Sequence, residues 1–190
     1  MIALFSSFLA VALAEMGDKT QLVALSLTSQ YRRPWTVMLG ILLATMANHA
    51  LASSVGVVVA SRIPEWLLGW ILGFGFIAFG VWTLVPDTVE EPAQRSAWGP
   101  LITTTVVFFL AEMGDKTQLA TVALAARFRA PFTVTVGTTL GMLVADGLAV
   151  FAGKYLAAIV PMKWIRWAAA AMFFLFGIVA IAVTRRSMSS

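Results

Sequence analysis

Six apolar stretches, each long enough to cross a membrane as a helix, dominate this chain of 190 residues. A helix rises about 1.5 Å per residue, so about 20 apolar residues span a hydrocarbon core about 30 Å thick. With 60% hydrophobic and 12% charged residues, the chain leaves no room for a soluble domain. The sequence therefore predicts an all-α polytopic membrane protein with six transmembrane helices. They cover residues 2–28, 35–60, 66–86, 99–126, 132–158 and 164–184.

An internal duplication relates the two halves of the chain. A shift of 97 positions superposes residues 15–22 on residues 112–119, and both segments read Glu-Met-Gly-Asp-Lys-Thr-Gln-Leu. The match continues without a gap, so that Pro34 corresponds to Pro131. Each half therefore holds the same predicted helices.

This duplication predicts the domain organisation. We expect a first three-helix repeat at residues 1–86, a polar linker loop at 87–97 and a second three-helix repeat at 98–190. Because three is an odd number of crossings, the second repeat enters the membrane from the opposite side. The two repeats are then inverted, an arrangement typical of secondary transporters.

Each copy of the repeated motif places two acids and a lysine about halfway along a predicted membrane helix. They are Glu15, Asp18 and Lys19 in the first helix and Glu112, Asp115 and Lys116 in the fourth. A charge at a helix centre costs about 2.5 to 3.5 kcal/mol on insertion scales, so these side chains must face one another, water or an ion. In a continuous helix the two acids share one face. The glycine between them permits close helix approach or a local break.

Four carboxylates around one midplane point indicate a cation site. A two-fold axis relating the first and fourth helices makes Glu15 and Asp18 face Glu112 and Asp115 across a shared cavity. This is more negative charge than packing requires. The alternative is a pair of internal ion pairs that hold the bundle together. In either case the two motif lysines balance part of the charge.

Further intramembrane polar side chains are candidate ligands for the cation or for protons. They are Thr20, Gln21, Thr117, Gln118, Asn48, His49 and Asp146. The threonines and glutamines could instead form hydrogen bonds between helices. His49 occupies the position equivalent to Asp146, so the symmetry of the repeat fails in this layer.

The ligand chemistry limits the choice of metal. The chain has no cysteine and one histidine, so carboxylate and amide oxygens are the available donors. Such donors suit Mn²⁺, Ca²⁺ or Mg²⁺ and argue against Zn²⁺, Cu⁺ and Ni²⁺. Because Mg²⁺ dehydrates reluctantly, Mn²⁺ and Ca²⁺ are favoured. We expect no cofactor besides the transported ion, and we interpret the net charge of +4 as loop charge beside lipid headgroups, not a nucleic-acid surface.

The two copies of E-x-G-D-K-T resemble the motifs of the Gdt-type family of cation exchangers, which includes bacterial manganese exporters and Golgi manganese and calcium transporters. The resemblance covers nearly the whole chain. It implies exchange of Mn²⁺ or Ca²⁺ for protons, with Glu15, Asp18, Glu112 and Asp115 lining the cation site. The short central loop and the lack of an amino-terminal extension are similar to bacterial members, which implies manganese export across the inner membrane. A Ca²⁺:H⁺ antiporter is the alternative.

An enzyme is a further alternative. Gly17-Asp18 and Gly114-Asp115 superficially resemble the aspartate dyad of intramembrane aspartyl proteases. Such a dyad needs two acids that share one proton. Four acids with two lysines exceed that requirement and suit a divalent cation. We therefore expect a transporter and not an enzyme.

Overall fold

The computed structural model describes residues 1–85, 98–159 and 162–189. Within these ranges the chain forms eight helices joined by short connections, which confirms the all-α prediction. The predicted linker at 87–97 lies outside the described residues. The helices are α1 (Ile2–Glu15), α2 (Lys19–Tyr31), α3 (Pro34–Arg62), α4 (Glu65–Thr83), α5 (Gly99–Glu112), α6 (Lys116–Phe128), α7 (Pro131–Ile159) and α8 (Met162–Ser189).

Two of the six predicted helices are broken within the repeated motif. The predicted helix 2–28 is divided into α1 and α2, and the predicted helix 99–126 into α5 and α6. The breaks contain Gly17 and Gly114, whose φ angles are +81° and +79°. Glycine adopts this left-handed region at little steric cost, but a right-handed helix cannot continue through it. The prediction that the two acids of each motif share the face of one continuous helix is therefore wrong.

The turns that end α2 and α6 are also duplicated. Arg32 and Arg129 have φ angles of +53° and +50°, and each donates its backbone N–H to the carbonyl four residues earlier at 2.8 Å. This is a helix C-terminal turn closed by a left-handed residue. Pro34 and Pro131 then begin the next helices. Proline fits the first turn of a helix, where no backbone N–H is needed.

Four helical segments are long and apolar enough to cross a membrane: Pro34–Arg62, Glu65–Thr83, Pro131–Ala152 and Lys163–Met188. α1 and α5 are shorter apolar helices. Large apolar side chains are exposed along the outer surface of α3, including those of Leu51, Val55 and Val58. An apolar surface of this extent is unfavourable in water and suits contact with lipid.

The helices of the two halves pack against each other in equivalent pairs. α1 packs on α7, α5 packs on α3, and α4 packs on α8. A Cβ added to Gly40 would lie 2.6 Å from the Cβ of Thr104, and one added to Gly137 would lie 3.0 Å from the Cβ of Ser7. A shift of 97 positions converts the first contact into the second. The glycines thus allow close approach of the helices, and this packing brings the two broken segments together.

Candidate cation site

Three buried acids from the two halves converge where the broken segments meet. One carboxylate oxygen each from Glu15, Glu112 and Asp115 lies within 4.8 Å of the other two. All three side chains are buried. No other trio of acidic or histidine side chains is this close within the described residues. We call these residues the acid trio.

The ends of the short helices explain why the acids converge. Glu15 and Glu112 are the last residues of α1 and α5, whereas Asp18 and Asp115 directly precede α2 and α6. The positive ends of the α2 and α6 dipoles therefore lie beside the aspartates. The last carbonyls of α1 and α5, those of Glu15 and Glu112, accept the backbone N–H groups of Asp18 and Asp115 at 3.0 and 3.4 Å. Broken helices of this kind coordinate ions in other transporters.

The two glutamates of the trio have different surroundings. The carboxylate of Glu15 accepts a hydrogen bond from the hydroxyl of Thr20 at 2.8 Å and another from the hydroxyl of Thr117. One threonine comes from each half, so Glu15 is held between the halves. Neither carboxylate oxygen of Glu112 accepts a hydrogen bond from a described residue. Glu112 is therefore a buried acid whose charge the described residues leave uncompensated.

The two motif aspartates also differ. Asp18 forms an ion pair with Lys116 across the halves, with 2.6 Å between Oδ1 and Nζ, and both side chains are at least nine-tenths buried. Asp115 instead accepts a hydrogen bond from the backbone N–H of Gln118 at 2.7 Å, which caps α6. Of the four predicted acid ligands, the structure brings three together and places Asp18 against Lys116. Lys19 is partly exposed.

Gln21 and Gln118 brace the two breaks. Each side-chain carbonyl oxygen accepts a hydrogen bond from the glycine four residues earlier, at 2.9 and 2.7 Å. The amide of Gln21 donates to the backbone oxygen of Ala145 at 2.6 Å, and that of Gln118 donates to the side-chain oxygen of Asn48. The structure thus uses both glutamines, and Asn48, to join the breaks to α7 and α3. The sequence contained a signal for the role of the glutamines at the breaks, because Asp-x-x-Gln resembles a capping box at a helix start.

Asp146 lies near Glu15 and Glu112 but outside the acid trio, and His49 also lies outside it. Both side chains are fully buried, and neither accepts or donates a side-chain hydrogen bond of normal geometry with described residues. The hydroxyl of Thr20 lies near Asp146, but it donates its single proton to Glu15. Asp146 is therefore placed next to the first break as an additional buried acid.

A cavity of about 170 Å³ reaches the site. It is lined by Asp18, Lys19, Trp82, Met113, Gly114, Asp115 and Lys116. Its volume is sufficient for several water molecules. The cavity therefore adjoins both motif aspartates, of which Asp115 belongs to the acid trio.

The acid trio fits a hard divalent cation. An ion that holds oxygens at about 2.3 to 2.6 Å, as Ca²⁺ does, bridges ligands up to about 5 Å apart. The trio lies within that limit, and its ligands are all carboxylate oxygens. Carboxylate, carbonyl and water oxygens suit Ca²⁺, Mg²⁺ and Mn²⁺.

Comparison with known proteins agrees with this chemistry. The family model described as "Divalent cation/proton antiporter GDT1" matches residues 3–91 and again residues 100–187. A Vibrio cholerae protein named "Putative manganese exporter" is 44% identical over 94% of this chain and 90% of its own length. A Synechocystis "GDT1-like protein sll0615" is 27% identical over 95% of this chain and 97% of its own length. No solved structure matches the chain.

These matches cover nearly the whole chain and include both copies of the motif. They confirm the predicted resemblance, and the family consists of antiporters, so the enzyme alternative is wrong. Divalent cations and protons are accordingly the partners of this membrane transporter. The chain is a member of the GDT1 family of divalent cation/proton antiporters.

Proposed function

We propose that this antiporter exports Mn²⁺ across the bacterial inner membrane in exchange for protons. The acid trio carries this proposal, because it gathers oxygen donors from both halves and leaves Glu112 without a described hydrogen-bond donor. The name of the Vibrio relative supports manganese as the cargo. The same donors suit Ca²⁺, so a Ca²⁺:H⁺ antiporter is the second candidate.

The proposed topology is six crossings in two inverted repeats, residues 1–86 and 98–190, joined by a linker at 87–97. α1 and α2 contain 14 and 13 residues, so each is only about 20 Å long and is too short to cross alone. Together they form one discontinuous crossing, as do α5 and α6. The equivalent contacts at Gly40 and Gly137 support a two-fold relation between the repeats. With three crossings per repeat, that axis lies in the membrane plane.

The proposed site has room for the cation between the two halves. Glu15, Glu112 and Asp115 bind it in the state described here, and Asp18 belongs to the same site. Thr20 and Thr117 orient Glu15 by their hydrogen bonds. Asp146 is the further acid of this layer and an additional ligand for the cation or for a proton.

Charge balance explains why the exchange is obligatory. Four motif carboxylates and two motif lysines give a net charge of −2, before Asp146 is counted. One divalent cation neutralises this charge, and so do two protons. Movement of an empty, doubly negative site through a low-dielectric interior is costly, whereas either loaded state is neutral. We therefore infer exchange of one cation for about two protons, with one half rocking against the other.

Uptake into proteoliposomes with an imposed pH gradient tests this function. We expect Mn²⁺ uptake to exceed that of Ca²⁺ and Mg²⁺. Glu15→Gln, Asp18→Asn, Glu112→Gln and Asp115→Asn should each abolish or severely reduce uptake, because an amide cannot supply the charge of the acid. Wild-type uptake by any two of these variants would exclude the shared site, and a preference for Ca²⁺ would favour the second candidate.

A further inference from the structure

The duplicated motif is symmetric in sequence but asymmetric in structure. Lys116 of the second copy pairs with Asp18 of the first at 2.6 Å. The equivalent pair after a shift of 97 positions is Lys19 with Asp115. Lys19 lies near Asp115 but forms no ion pair with it in the part of the chain that the structure describes. One of two equivalent ion pairs is thus formed.

The aspartate without a lysine partner has taken a different role. Asp115 joins Glu15 and Glu112 in the acid trio and caps α6 through the N–H of Gln118. Asp18 makes no side-chain capping bond to α2 and lies outside the trio. In the described state one motif aspartate thus holds the ion pair and the other holds the place in the acid trio.

The two breaks also differ in accessibility. Met113 and Gly114 of the second break are exposed and line the cavity that leads to Asp115. The equivalent Met16 and Gly17 of the first break are partly buried and do not line that cavity, although Asp18 and Lys19, which follow them, do. The break whose aspartate joins the trio is thus the more exposed of the two at its Met-Gly step.

We propose, on the basis of the proposed function, that Lys116 and Lys19 alternate as internal cations that select which aspartate binds the metal. In the described state Lys116 holds Asp18, and Asp115 completes the site from the more exposed second break. In the opposite-facing state Lys19 holds Asp115, and Asp18 completes the site with the two glutamates from a more exposed first break. The glutamates remain with the metal throughout.

The alternation of the two lysines compensates the charge of the motif aspartates in both states. In each metal-loaded state both motif aspartates face either a lysine or the metal, so neither is left alone in the low-dielectric interior. The two states contain the same motif ion pair with the halves interchanged, so this pair does not by itself favour either state. A transporter requires this, because two access states must both be populated.

Single-cysteine labelling tests the proposal, since the chain has no cysteine of its own. Met113→Cys and Met16→Cys report on the two breaks through their rates of reaction with a charged, membrane-impermeant maleimide in proteoliposomes. Lys116→Gln removes the ion pair of the described state and should lower labelling at position 113 and raise it at 16. Lys19→Gln should do the reverse. We expect changes of about fivefold or more, as is usual for coupled equilibria.

Two variants distinguish an effect on labelling from a loss of folding. Lys116→Arg keeps the positive charge and should label more like the wild type than Lys116→Gln does. Lys19→Gln removes no described ion pair and should fold even where Lys116→Gln does not. Labelling that moves in the same direction in both glutamine variants, or in neither, would overturn the proposal. If the unsubstituted protein exchanges no metal for protons, the proposed function is refuted instead. The two failures are distinguishable, because the labelling reaction does not depend on cargo.

Discussion

Glu112→Gln is a clean perturbation of the proposed site. Glutamine has nearly the shape of glutamate, and no described residue donates a hydrogen bond to either carboxylate oxygen of Glu112. The substitution therefore removes a charge without depriving a described donor of its acceptor. Its effect on cation binding should come mainly from the electrostatics of the acid trio.

The charge count gives the size of the effect. The loaded wild-type site is neutral, so the loaded Glu112→Gln site carries one uncompensated positive charge. A charge at membrane depth costs about 2.5 to 3.5 kcal/mol on insertion scales. At 1.36 kcal/mol per tenfold change, the Kd for Mn²⁺ should rise roughly 70- to 400-fold.

Isothermal titration of the detergent-purified protein with Mn²⁺ measures this change. Glu65→Gln is the matched control, because the Glu65 side chain is 85% exposed and pairs with Arg129 at 3.2 Å. An exposed pair of this kind contributes little, so the control should bind Mn²⁺ as the wild type does. A Glu112→Gln protein that folds and binds within twofold of the wild type would refute the reasoning.

Three further outcomes follow from the geometry. Gly114→Ala should lower the free energy of unfolding by about 1 to 2 kcal/mol, because alanine resists the left-handed φ of +79°, and thermal unfolding in detergent measures this. Gly40→Ala should lower the midpoint of the same transition, because its Cβ would meet Thr104 at 2.6 Å, whereas Gly75→Ala, with nothing within 4 Å, should not. Asn48→Ala and His49→Ala should slow proteoliposome uptake by less than about tenfold, because neither residue belongs to the acid trio.

The positions of the helices were predictable where the length of an apolar stretch determines them. Apolar stretches and the Pro34 and Pro131 positions located the long helices α3, α4, α7 and α8 closely. The breaks were harder to predict, because hydropathy remains high on both sides of the motif and favours one long helix. Gly17 followed by Asp18 and Gln21 is a pattern typical of a helix start. The length of the apolar stretch gives no indication of it.

The convergence of the motifs was predictable from the duplication, but their unequal roles were not. Two identical segments give no reason for Asp18 to meet Lys116 while Asp115 joins the glutamates. On the proposed alternation of the two lysines, that difference belongs to one of two conformations that the same sequence encodes. The roles of Thr20 and Thr117 on the same glutamate depend likewise on how the halves dock.

Simultaneous recording of Mn²⁺ and proton flux in proteoliposomes tests the central claim most directly. If one site binds cation and protons alternately, Mn²⁺ entry should drive proton exit at about two protons per ion, and collapse of the proton gradient should stop net Mn²⁺ accumulation. Mn²⁺ movement that produces no pH change, or that continues undiminished without a proton gradient or counter-substrate, would contradict the exchange mechanism.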